Sequence, residues 1–232
     1  MIAGIVASGL YVPSGPPLPP HPPGIAVGDP YAGGYYVGRI NYGTPGENYW
    51  LVVGPASDDI AAAVRTSNTA IAGSISRSNG LANTALMIGT TFPAAQHCRT
   101  RTTGGFSDWY FGAMDEVEML CRYLRPTANA PYQGVAPASV GGGMFGDNPS
   151  SIPEGIPNTP TNPGQTSVEI FKSGNAQALI TNGAYRTSSL DMVSAARNES
   201  IHVSAGNSFK AVYTISYAGY RVRPFRRVLI PN

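Results

Sequence analysis

Between Gly104 and Pro126 the chain changes period, and that change constrains the fold more than any other feature. Gly104 and Gly105 read as a turn, because glycine reaches positive φ without a steric penalty. Trp109 and Tyr110 follow, large apolar groups with polar tips suited to the edge of a core. Met114, Val117, Leu120, Cys121 and Leu124 then recur at i, i+3, i+6, i+7 and i+10, which predicts a helix with one buried stripe. Asp115, Glu116 and Glu118 fall in its first half, and Arg122 and Arg125 in its last turn, so both ends match the helix dipole. Pro126 ends it. The three carboxylates lie on the polar side and are read as solvated partners of the dipole, not as an acid–base cluster.

Around this helix the sequence looks like short strands and loops. The 232 residues include 28 glycines and 21 prolines, and only 12% are charged, about half the usual share. That pairing suits a loop-rich, β-containing domain better than a helical bundle. A net charge of +2 gives no electrostatic case for nucleic acid. Two cysteines, Cys98 and Cys121, are too few for a disulfide framework or a zinc site; sequence does not decide a bridge between them, and two buried thiols in a reduced compartment are expected. The N-terminal stretch lacks a basic region, and no run approaches the ~18 apolar residues of a membrane span, so a soluble protein with no membrane insertion and no conventional export is expected.

Residues 13–23, Pro-Ser-Gly-Pro-Pro-Leu-Pro-Pro-His-Pro-Pro, have fixed φ and few donors, which predicts polyproline II. A short apolar tip held out on a stiff spacer points to an arm, residues 1–26, docking on a partner subunit. Residues 27–232 form the remaining domain. Tyr35–Ile40 and Tyr49–Val53, separated by Gly43-Thr44-Pro45-Gly46, predict an antiparallel hairpin. Residues 69–92 hold short runs broken by Ser78-Asn79-Gly80, and Pro93–Arg99 predicts a short helix opened by proline. Residues 127–165 read as one long loop. Residues 185–230 read as a meander, with alternation over Ile201–Ser204 and Phe209–Tyr217 and a turn at Gly206-Asn207.

The search for chemistry is mostly negative. His21, His97 and His202 have no partners at metal-ligand spacing. Asp58-Asp59 and Asp147-Asn148 lack calcium-loop spacing. No Gly-x-Ser-x-Gly, His-Glu-x-x-His or Cys-x-x-Cys occurs, and the triple glycine at 141–143 lacks the Lys-Ser/Thr of a phosphate loop. No cofactor is expected. Arg221, Arg223, Arg226 and Arg227 form the one basic cluster, and their alternation with apolar residues points to structural ion pairing, with Asp108, Asp115 and Glu116 as partners.

An ordered set of segments resembles the DUF1566 (Lcl C-terminal-like) family in its phage and prophage versions. The segments are Gly33–Ile40, Asn79–Thr84, Pro93–Cys98, Gly104–Tyr110, Asp115–Leu120, Leu124–Thr127, Gln165–Val168 and Tyr220–Val228. The resemblance implies an α+β, C-type-lectin-like domain with a twisted antiparallel sheet, two helices and long loops. It implies a bacteriophage virion protein rather than an enzyme, since no cysteine pair of formylglycine chemistry is recognisable. Two segments depart from the family pattern: Phe111-Gly112 stands where the family has Leu-Pro, and Tyr185-Arg186-Thr187-Ser188-Ser189 replaces Trp-Ser-Ser-Thr.

Two roles follow from the resemblance. One is a tail-fibre or spike adhesin that binds a host cell-surface glycan or protein and is held to other virion proteins by its N-terminal arm. The other is a capsid decoration, collar or baseplate component without a receptor role. A homotrimer is expected for either, because fibres and spikes are usually cyclic assemblies. The candidate receptor-binding residues are Tyr185, Arg186, Asn198, His202, Asn207, Lys210 and Tyr213, polar or aromatic side chains in the turn-rich C-terminal strands.

Overall fold

A computed structural model describes residues 21–69, 71, 76–128, 146–190, 197–204 and 208–231. The described chain is mixed α+β, with two sheets and three α-helices. The first sheet runs β1 (Pro30–Tyr31), β2 (Gly34–Asn41), β3 (Asn48–Val53), β11 (Pro224–Leu229), β5 (Tyr110–Phe111), with β6 (Ser151–Ile152) on the far half of β2. The second runs β4 (Ile60–Ala61), β10 (Arg221–Val222), β7 (Asn182–Leu190), β8 (Arg197–Ser204), β9 (Ser208–Thr214). Pairing is antiparallel except where β10 meets β7 at Arg221 and Tyr185. The expected hairpin is β2–β3, with a register shift between Tyr36 and Gly38.

The expected central helix is α3 (Met114–Tyr123). Its stripe packs into the main core with Val37, Ile40 and Leu51 of the first sheet and with Tyr185 and Ile201 of the second. The helix therefore sits where the two sheets meet. The second short helix, α2 (Pro93–Arg99), is also present, with Pro93 in its first turn. The other helix, α1 (Gly80–Leu86), corrects the reading of two helices. Its amphipathicity is inverted: Asn83 and Thr84 are buried, while Leu81 and Leu86 face solvent. Thr84 Oγ1 donates to Gly80 O at 2.7 Å and accepts from Phe111 N at 3.0 Å, fastening the helix to β5. Cys98 and Cys121 are both free and buried, and burial pushes both thiols up, away from the thiolate form.

The carboxylates of α3 are not solvated. Asp115, Glu116 and Glu118 are all buried, because the helix is covered on its polar side as well. Glu118 pairs with Arg122 one turn on and accepts from Asn148 Nδ2 at 2.7 Å, while Asp115 accepts from Ser150 Oγ at 2.8 Å. Residues 146–155 of the expected long loop are thus fastened along the helix. Glu116 Oε1 accepts from Tyr42 at 2.6 Å and Tyr110 at 2.7 Å. Its Oε2 accepts from Ala113 N at 2.7 Å and Gly80 N at 3.2 Å. One carboxylate thereby caps the start of α3, reaches the start of α1 and ties both to β5 and to Tyr42, just past the end of β2.

Residues 21–27, the end of the expected arm and the first residue beyond it, are part of this packing. Ile25 and Val27 join Tyr36, Trp50 and Ile230 on the face of the first sheet that points away from α3. His21 Nδ1 lies 3.3 Å from the Tyr36 hydroxyl, and Pro22 is buried. Residues 1–20, the rest of the arm, lie outside the described residues. No helix among the described residues is long and apolar enough to cross a membrane.

Candidate recognition surface

The seven candidate residues do not share one surface. Tyr185 and Arg186 are each 1% exposed, which removes both from any recognition face. Strand β7 lies inside the second sheet and is covered on both sides, so neighbouring residues of opposite orientation are both buried. The Tyr185 hydroxyl donates to Asp59 Oδ2 at 2.6 Å, and Arg221 Nε donates to Asp59 Oδ1 at 2.8 Å. Arg186 Nη2 donates to the carbonyls of Thr214 and Tyr217, and its guanidinium lies 5.0 Å from the Tyr220 ring centre. Burial raises the Asp59 pKa, with Tyr185 and Arg221 pulling it back. Asp59→Asn is expected to lower the unfolding free energy by about 2–3 kcal/mol, since Arg221 and the Tyr185 hydroxyl lose a charged acceptor. Urea denaturation at pH 7 measures this, and a loss below about 0.5 kcal/mol would contradict the network's role.

Asn198, His202, Lys210 and Tyr213 lie on the outer hairpin of the second sheet, whose edge strand is β9. The register pairs Asn198 with Tyr213, His202 with Phe209 and Ile201 with Lys210. Asn198, His202 and Tyr213 therefore occupy one phase of the two-residue repeat, and Lys210 the other. Asn207 lies outside the described residues.

The terminal arginines act structurally, as their alternation suggested. Arg223 is buried, donating to Gly54 O at 2.7 Å and to Gln177 O and Oε1 at 3.0 Å each. Arg226 donates to Asp108 Oδ1 at 2.5 Å and lies 3.8 Å from the Phe106 ring centre. Arg227 sits 4.6 Å from both the Tyr42 and Tyr49 rings. Of the expected acidic partners, Asp108 takes Arg226. Asp115 and Glu116 are instead engaged by Ser150 and by the tyrosine cluster.

A cleft of about 410 Å³ that sequence reasoning missed opens beside this cluster. It is lined by Pro30, Tyr31, Ala32, Gly33, Gly34, Tyr35 and Pro55. Its rim is the turn from β1 to β2, where Ala32 has φ 46° and Gly33 φ 85°. An alanine at positive φ carries strain and persists only where its surroundings hold it. Here Arg226 Nη1 donates to Ala32 O at 3.3 Å. Gly33 packs so tightly on the next turn that a Cβ there would lie 2.7 Å from Phe106 Cδ2 and 2.9 Å from Thr103 O. The signal in the sequence was the Gly33-Gly34 pair before an aromatic strand.

The lining consists of two tyrosines, two prolines and the backbone of the turn, with the Tyr31 ring packed on Trp50 and the Tyr35 ring on Phe171. Among the described residues, no group of three or more His, Cys, Asp or Glu is placed to hold a metal ion. In the acidic pairs noted above, Asp58 accepts from Thr103 at 2.5 Å, Asp59 accepts from Tyr185 and Arg221, and Asn148 is buried against α3. The chain matches no protein-family model, and comparison with curated proteins and with solved structures finds no match either.

Proposed function

We propose that this chain is a bacteriophage virion protein: a lectin-like binding domain of a tail fibre or spike that recognises the host surface, is held to the particle by its N-terminal arm, and carries out no catalysis. One observation supports this above others. The segments that resemble the phage family come together as a single scaffold. Gly33 lies against Gly104 and Phe106, Gly80 of α1 against Glu116 of α3, and Arg226 of β11 against Phe106 and Asp108. Segments far apart in sequence fit one another, which supports reading the ordered resemblance as one unit. Recognition is assigned to the outer hairpin of the second sheet, at Asn198, His202, Asn207, Lys210 and Tyr213. A homotrimer would multiply weak single sites, because linked sites raise avidity without new contacts.

The test is binding of the purified full chain to host cells. Tyr213→Ala combined with Asn198→Ala, cross-strand partners in one phase of the hairpin, is expected to weaken binding at least about tenfold, the loss of one contact worth 1.4 kcal/mol. The double variant should keep its unfolding midpoint. Undiminished binding would remove the hairpin as the recognition site. Absence of cell binding by the unaltered chain would leave the decoration, collar or baseplate role in its place.

A further inference from the structure

We infer that the outer edge of β9 pairs with the same edge of a second copy of this chain, so that two five-stranded sheets join into one of ten strands. The sheet edges are finished unequally. Strands β1, β4, β5 and β6 are two residues each, too short to template a further strand. Strand β9 runs for seven residues and pairs along its whole length with β8. On its other side no described strand follows. Its sequence, Ser-Phe-Lys-Ala-Val-Tyr-Thr, has no proline, no glycine and one charge, so little in it opposes a further strand.

The sequence of β9 points to its partner. Ala211 is the centre of a chemical palindrome, with aromatic residues two places away on either side, Phe209 and Tyr213, and hydroxyl residues three places away, Ser208 and Thr214. An antiparallel copy related by a two-fold axis at Ala211 overlaps all seven residues. That register sets Phe209 opposite Tyr213 and Ser208 opposite Thr214, twice each, and such pairs stabilise antiparallel sheets. Lys210 falls opposite Val212, so like charges do not face each other. An axis at Lys210 would set two lysines face to face, and an axis at Val212 would set Tyr213 against Ala211, so the register is selected. The contact is isologous and closes with two copies, and it adds to any cyclic assembly made elsewhere on the chain. The phase that holds Asn198, His202 and Tyr213 then continues across both copies. The inference concerns assembly and does not rest on host recognition.

Cysteine variants of the full chain test both the contact and its register. The native Cys98 and Cys121 are buried and do not compete. Directly opposite residues of an antiparallel pair lie about 4.5–5.5 Å apart at Cα, within disulfide reach, whereas diagonal ones lie about 7–8 Å apart. Under mild oxidation Ala211→Cys should give a disulfide-linked dimer on non-reducing gels. Lys210→Cys alone should link at least about tenfold more slowly, and mixing it with Val212→Cys should restore the faster rate. At the same concentration the unaltered chain should sediment above the 24.3 kDa of one copy. A single-copy mass would overturn the inference. So would absence of the Ala211→Cys dimer, or Lys210→Cys linking as fast alone as in the mixture. None of these readings involves host cells, so failure of cell binding leaves them standing.

Discussion

Replacing Glu116 by alanine is expected to destabilise the fold by about 3–5 kcal/mol, the largest single loss among the polar residues. Four donors converge on this carboxylate, and all would be left buried without an acceptor. The lost bonds join Tyr42, β5, α1 and α3, so the damage would not stay local. Glu116→Gln keeps the shape but turns an NH2 toward donors, and should cost about half as much. Burial pushes the Glu116 carboxyl from its ordinary 4.5 up to about 7, opposed by Tyr42, Ala113, Tyr110 and Arg227. The folded state therefore holds a proton that the unfolded chain has released, and stability should fall as pH rises from about 4.5 to 7, then level off. The drop is worth about 3 kcal/mol over that window. Glu116→Gln should flatten the slope. A stability curve that rises with pH across this range, or a Glu116→Ala loss below about 1 kcal/mol, would contradict the role assigned to the cluster.

Gly104→Ala is expected to cost about 2–4 kcal/mol and to open the cleft at the same time. Gly104 has φ 64°, where a side chain is strained, and an added Cβ would run into the Cα of Gly33. Backbone meets backbone there, so no rotamer change relieves the clash. The two turns must part, which withdraws Gly33 from Phe106 and loosens the rim at Ala32. By contrast Gly105→Ala, with φ 82° but nothing within 4 Å of its Cβ, should cost only the conformational strain, about 1 kcal/mol. Thermal unfolding of the two variants side by side separates steric from conformational cost. Equal losses would show that the Gly33–Gly104 contact contributes little.

The helix at 114–123 was legible because its stripe repeats over three turns and a proline closes it. What the stripe could not show was that its opposite face is covered too. The periodicity marks where apolar residues lie, not whether polar ones see water. Asp115, Glu116 and Glu118 were misread for that reason. Helix α1 escaped because its buried side chains are Asn83 and Thr84, so apolar period pointed outward. Asn79 as a cap for Ala82 N was the available signal. Tyr185 and Arg186 were misread as exposed because hydrogen-bonding and aromatic side chains in turn-rich strands were taken for surface residues. A strand interior to a sheet that is covered on both sides has none. The arginine run was read as structural, and Arg226 does pair with Asp108, but Asp115 and Glu116 are taken by Ser150 and the tyrosine cluster instead of arginines. The cleft needed tertiary structure, because Pro55 and the β1–β2 turn are brought together only by the sheet.

The most direct test compares the full chain with one lacking residues 1–20. Cutting there rather than after residue 26 matters, because residues 21–27 pack on Tyr36, Trp50 and Ile230. Each chain is assayed on particles stripped of this protein and on host cells. The expected result is that the shortened chain loses particle binding and retains cell binding per domain. Loss of neither, or cell binding by neither chain while the full one still binds particles, would contradict an arm-anchored adhesin.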